Sequence, residues 1–177
     1  MLSELENYLQ RIDDLRGQAA GLITGLSQEA LDWRPLPAAQ PDAQGKEAEG
    51  GTNSLAVLAA HMAGAERFWI GEIVGGRPPR RDRDAEFQVR GLEADQLLNL
   101  LEQAAAETRD VLADLRIEDL DGTREARGRT VPVRWCILHV VDHTALHLGH
   151  MQLTYQLWMG GRGVASPFWY ERLKSKS

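Results

Sequence analysis

A chain of 177 residues, 43% hydrophobic and 26% charged, has the length and composition of an ordinary folded protein with one sizeable core, and we expect a single domain over residues 1–177. Its formal net charge of −6 sets it against phosphate backbones and anionic lipid surfaces, so neither nucleic acid nor a membrane is an expected partner. The opening MLSELENYLQ lacks the basic-then-apolar pattern of an export signal, no apolar run is long enough to span a bilayer, and a lone Cys136 has no disulfide partner; together these predict a cytoplasmic protein.

The first predicted helix covers residues 2–26, where Leu5, Leu9, Ile12, Leu15, Leu22 and Ile23 recur at spacings of three and four and lay one apolar stripe along it. Residues 35–53, rich in proline, glycine and small polar side chains, have no periodicity and predict an exposed loop, long for a compact fold. A second helix over 54–74 begins at Asn53 or Ser54 as N-cap and carries Leu55, Leu58, His61, Met62, Ala65, Phe68, Trp69 and Ile73 before GGRPP ends it. A charged connection leads to a third helix over 92–115, with Leu97, Leu101, Thr108, Leu112 and Leu115 in register. The stretch DGTREARGRTVPV breaks the helical period and suits a turn or a small hairpin, and a fourth helix runs over 133–159 to the stop GGRG. Four long amphipathic helices without a run of alternating strands predict an all-α, four-helix bundle, and its long connections leave room for a topology other than simple up-and-down.

Four of the five histidines lie in HVVDHTALHLGH, residues 139 to 150. At about 100° per residue, with His139 at zero, His143 falls near 40°, His147 near 80° and His150 near 20°, so all four share one side. Cys136, Val140, Thr154 and Leu157 mark the same side, which predicts that it faces inward. Burying several imidazoles is costly, and a metal answers that cost: neutral imidazole suits zinc, nickel, iron or copper, and two histidines four apart on a helix can reach one ion. His139 with His143 and His143 with His147 both have that step, and His150 competes. His61, on the apolar stripe of another helix, adds a third nitrogen and leaves positions open for water or substrate, as in a catalytic site.

Other residues read more plainly. Cys136, a turn before His139, is expected to be a small buried apolar side chain rather than a nucleophile. Glu66 turns about 140° from His61 on an ideal helix and is not expected to be a ligand or a general base. Asp142 is read as a solvated or helix-contact carboxylate; Trp33, Trp69, Trp135, Trp158 and Trp169 could line a substrate pocket, with packing between helices and loops the default for most of them. Phosphate loop, nucleophile elbow, Cys-x-x-Cys and His-Glu-x-x-His are absent, and no Glu-x-x-His pairs exist to build a two-metal carboxylate centre; one metal is favoured over two.

The order LSQEALDWRP, SLAVLAAHMAGAERFW, TVPVRWCILHVVDHTALHLGH resembles the DinB/YfiT-like superfamily across nearly the whole chain. Its most specific parts are His-x4-Glu-x2-Trp at His61, Glu66 and Trp69, and the pattern RW-x3-H-x3-H-x3-H-x2-H from Arg134. The resemblance implies a four-helix bundle holding one divalent metal ion (zinc, nickel, iron or manganese) on His61, His143 and His147, with His139 and His150 in supporting or pocket roles. In the branch resembling mycothiol-dependent maleylpyruvate isomerase the position of His143 is a glutamate, so this chain presents a three-histidine form. Relatives that use low-molecular-weight thiols, and others described as metal-dependent hydrolases, imply a metal-dependent thiol S-transferase or hydrolase acting on a small molecule, possible as a homodimer. The alternative is a non-catalytic metal-binding or stress-response bundle; a haem protein is disfavoured by the lack of an attachment motif.

Overall fold

The computed structural model describes residues 1–36 and 51–163. Most of the long connection expected over 35–53 lies outside them, as does Trp169. Four long helical segments form the frame: α1 (Ser3–Ile23), α3 (Leu55–Glu66) with a π-helical continuation (Arg67–Val74), α5 (Ala94–Asp114) and α7 (Val133–Trp158). Short helices α2 (Gln28–Asp32), α4 (Arg83–Phe87) and α6 (Ile117–Leu120) sit in the connections. An antiparallel hairpin of β1 (Thr123–Ala126) and β2 (Arg129–Pro132) precedes α7. Among the described residues no helix is long and apolar enough to cross a membrane.

The predicted stripes do the packing. Leu5, Ile12, Leu15, Leu22 and Ile23 of α1 are buried, as are Leu97, Leu101, Thr108 and Leu112 of α5. α1 packs on α7 and α5, and α3 packs on α5 and α7, so the ring runs α1, α5, α3, α7. Successive long helices α1 and α3, like α5 and α7, therefore lie across the diagonals, and the bundle is not a simple up-and-down one. Ser54 caps α3, its Oγ accepting the Val57 N–H at 3.3 Å.

Two apolar clusters fill the interior. One gathers Leu15, Leu22, Leu31, Leu58, Leu101 and Met151; the other gathers Ile12, Ile70, Val111, Leu112, Ile137 and Val140. Arg16, His61, Glu66 and Thr108 are buried polar residues of the same interior. Arg16 donates to Glu66 through Nε at 3.2 Å and a terminal nitrogen at 2.6 Å, and the Thr108 hydroxyl donates to Glu66 at 2.7 Å. Burial alone would lower the Arg16 pKa, but the carboxylates of Glu66 and then Asp13 together outweigh it and hold the guanidinium above its ordinary value.

The second helix runs over its expected length with a change of winding, the expected hairpin forms, and one expectation on α7 is corrected. The second helix is not α-helical throughout: beyond Glu66 the winding loosens, and the Gly75 N–H bonds to the Ile70 carbonyl, five residues back, at 2.8 Å. Two close approaches seat this stretch against α5, because a Cβ on Gly71 would meet Glu107 at 2.5 Å and one on Gly75 would meet Val111 at 2.6 Å. The hairpin turns through Arg127 and Gly128 at φ 50° and 75°, the conformation a two-residue turn between twisted strands requires. On α7, Cys136, Val140 and Thr154 are buried as expected, but Leu157 is 49% exposed and joins Leu138, Leu146 and Leu153 on the solvent side. Leu157 lies at the last turn, where neither apolar cluster extends to cover it.

Candidate metal centre

α3 and α7 are neighbours in the ring, and their contact brings His61 to the histidines of α7. One ligand atom from each of His61, His143 and His147 lies within 4.8 Å of the others. The His61 and His143 Nε2 atoms are 3.0 Å apart. Two nitrogens bound to one ion at about 2.0–2.1 Å with tetrahedral angles lie about 3.3 Å apart, so this spacing already approaches that of a ligand pair. His61 is buried, and His143 and His147 are partly so. Three imidazoles whose ring nitrogens gather in this way form a donor set that fits a borderline divalent ion.

The electrostatics favour the neutral, ligating form. Burial first, then the neighbouring His147, His61, His139 and Arg81, pushes the His143 pKa down to about 3. Burial first, then His61 and His150, brings His147 down to about 4. Protons therefore do not compete for these lone pairs near neutrality.

His139 and His150 do not join the three. His139 stacks on Trp135 with ring centroids 4.8 Å apart and planes 8° from parallel, and Trp69 stands edge-on to both rings at 5.0 and 5.1 Å. Burial lowers the His139 pKa, partly opposed by Asp142. The group is an aromatic shelf beside His143, whose ring centroid is 5.7 Å from that of His139. Trp135 leaves this shelf 45% exposed. His150 is exposed, its Nδ1 3.3 Å from the His147 Nδ1.

The remaining motif residues hold the frame. Glu66 points away from the imidazoles to Arg16 and Thr108, in line with its expected angle from His61. Arg134 donates to Glu4 of α1 at 2.9 Å and pairs with Asp121, fastening the start of α7. Trp33, from the LDWRP piece, packs on Trp158 with centroids 5.7 Å apart. Cys136 is fully buried in an apolar cluster, and burial pushes its thiol pKa up, which suits packing rather than nucleophilic chemistry. Asp142 is exposed.

Glu86 is the residue that sequence reasoning missed. On the short α4, it places Oε2 2.8 Å from the His61 Nδ1, while Arg81 donates to both of its oxygens at 2.7 and 2.9 Å. Burial would raise the Glu86 pKa, but the hydrogen bonds from Arg81 and His61 outweigh it and hold the carboxyl below its ordinary value. Phe87 packs against the same imidazole with centroids 4.7 Å apart. Only the Asp82 side chain, which caps α4 by accepting the Ala85 N–H at 3.0 Å, is a recognisable signal in RRDRDAEF.

A family model described as the DinB superfamily matches residues 11–151. No curated protein matches the chain. Among solved structures, a conserved protein from Enterococcus faecalis is similar with a TM-score of 0.70 at 14% identity, over 90% of this chain and 99% of that one. A DinB-like protein from Bacillus subtilis has a TM-score of 0.63 at 20% identity, over 92% of this chain and 96% of that one. These likenesses place the fold.

Proposed function

Because the chain belongs to the DinB superfamily, we propose that it is a metal-dependent enzyme in which His61, His143 and His147 hold one divalent ion and a low-molecular-weight thiol is transferred to an electrophilic small molecule. The observation that carries the reading is the convergence of three imidazoles from α3 and α7, two of them held neutral by their surroundings. A bound zinc, nickel, iron or manganese ion would supply the Lewis acidity that lowers the pKa of a thiol or water. The chain's own residues supply the rest: three imidazole donors from α3 and α7, and an aromatic shelf of Trp69, Trp135 and His139 whose exposed indole offers flat apolar surface to a substrate. Hydrolysis is the competing chemistry at the same centre, and the choice of thiol transfer rests on the family resemblance.

Elemental analysis of purified protein beside the His61→Ala and His147→Ala variants tests the centre. About one equivalent of a transition metal in wild type, lost in both variants, is expected. The loaded protein is then assayed with thiols and a chromogenic electrophile, beside an ester. Thiol consumption restored by added metal supports the full reading. Metal without turnover of either substrate leaves a non-catalytic metal-binding bundle. No metal uptake from zinc, nickel, iron or manganese salts overturns the proposal.

A further inference from the structure

We infer that Glu86 is a positioning residue for His61: held by Arg81 and admitted by the missing side chain of Gly64, it selects the tautomer and orientation that aim the His61 Nε2 at the ion. This inference rests on the metal reading above and assigns a role to residues outside the ligand set.

The geometry is closed on every side. A carboxylate oxygen 2.8 Å from Nδ1 takes a hydrogen bond only if that nitrogen carries the proton, which leaves Nε2, the atom 3.0 Å from His143, with its lone pair. The carboxylate cannot swing away cheaply, since Arg81 grips both oxygens and the side chains of Arg81 and Glu86 are only 10% and 9% exposed. Phe87, the next residue of α4, covers the ring, and Arg83 lies over Phe87 at 4.8 Å from its centroid. A histidine ligand whose other nitrogen donates to a carboxylate is both oriented and made a stronger donor.

Gly64 completes the arrangement from α3. A Cβ at this position would fall 2.1 Å from Glu86 Oε1 and 2.6 Å from its carboxyl carbon. Alanine is the better helix former, yet here it would expel the carboxylate from its seat beside His61. Gly64→Ala thus disturbs the pair without altering any titratable group, ligand or charge.

The test is zinc affinity, measured by competition with a chromophoric chelator, on wild type, Glu86→Gln, Glu86→Ala and Gly64→Ala. Glu86→Ala and Gly64→Ala are expected to bind roughly 10- to 100-fold more weakly, with Glu86→Gln, which keeps a neutral acceptor, between them and wild type. Nitrogen NMR of the zinc-loaded proteins supplies the readout that a merely structural role would not move. The His61 Nδ1–H should be slow to exchange in wild type and fast in Glu86→Ala and Gly64→Ala. Circular dichroism of the metal-free variants separates misfolding from loss of aim, and Glu86→Gln remains informative if either of the others fails to fold. Wild-type affinity and an unchanged Nδ1–H signal in Glu86→Gln and in every folded variant would overturn the inference and leave the metal centre standing. A wild-type protein that takes up no zinc would remove both.

Discussion

Five residues apart on α3, His61 and Glu66 lead into two buried polar groups of opposite character. Around Glu66 the donors and acceptors match within the protein: a guanidinium and a hydroxyl meet one carboxylate, and Asp13 takes another Arg16 nitrogen at 2.6 Å. Around His61 three rings of the same kind crowd together, with only one nitrogen of His61 answered by a carboxylate. A group satisfied internally joins helices and asks for nothing more. Three converging imidazoles, with His143 and His147 holding no extra proton near neutrality, are a group that a cation completes. The contrast separates a frame element from a site in residues that belong to one family motif.

That contrast can be broken from either side. The largest effect is expected at the closed group: Glu66→Ala leaves the buried Arg16 guanidinium with only the half-exposed Asp13 as partner and should cost about 3 kcal/mol, read from urea denaturation. A Glu66→Ala protein of wild-type stability would show that the pair is not a frame element. At the open group the expected gain comes from outside. Zinc at about 100 times its dissociation constant should stabilise the fold by about 2.7 kcal/mol, and His143→Ala should abolish the gain in the same denaturation series. Equal stabilisation of the variant would place the ion elsewhere.

The smallest effect is on metal-free protein and sharpens the comparison by pH. His143 and His147 are held at about 3 and about 4 against an ordinary 6.5. Above 6.5 both rings are neutral whether folded or not. Below it the unfolded chain takes up protons that the folded state refuses, so stability should fall as pH drops from about 6.5 toward 4. The facing groups His61, His139, His150 and Arg81 set this environment. His143→Ala should flatten the profile; an unchanged slope would mean that these rings are not the protons' destination.

Much of this was legible in the chain. The stripes of α1 and α5 follow from spacing alone, since each of these helices turns one face inward. The four-residue step between His143 and His147, with His61 on a second stripe, was enough to suggest a metal. The resemblance was needed to choose between that pair and His139 with His143. Other features have no local cause to read. α3 is buried almost all round, because helices α5 and α7 flank it and α4 covers it, so His61 could not be told from its neighbours by exposure. Glu86 reaches His61 across 25 residues from a five-residue helix too short to show a period. The outward turn of Leu157 depends on where the clusters end, a property of the assembled bundle.

The π-wound stretch from Arg67 to Val74 sets where the second helix points its last side chains. A helix that closes its bonds over five residues rather than four holds one residue more than an α-turn needs. Each such turn advances the side chains by a smaller angle than an α-turn does, so residues beyond Glu66 point elsewhere than an α-helix would send them. Here the extra residue falls between His61 and the connection that carries Glu86. Within this stretch, Trp69 meets the rings of Trp135 and His139 on α7. The stretch therefore joins the bundle's interior at His61 to an aromatic wall that faces the same cluster of imidazoles.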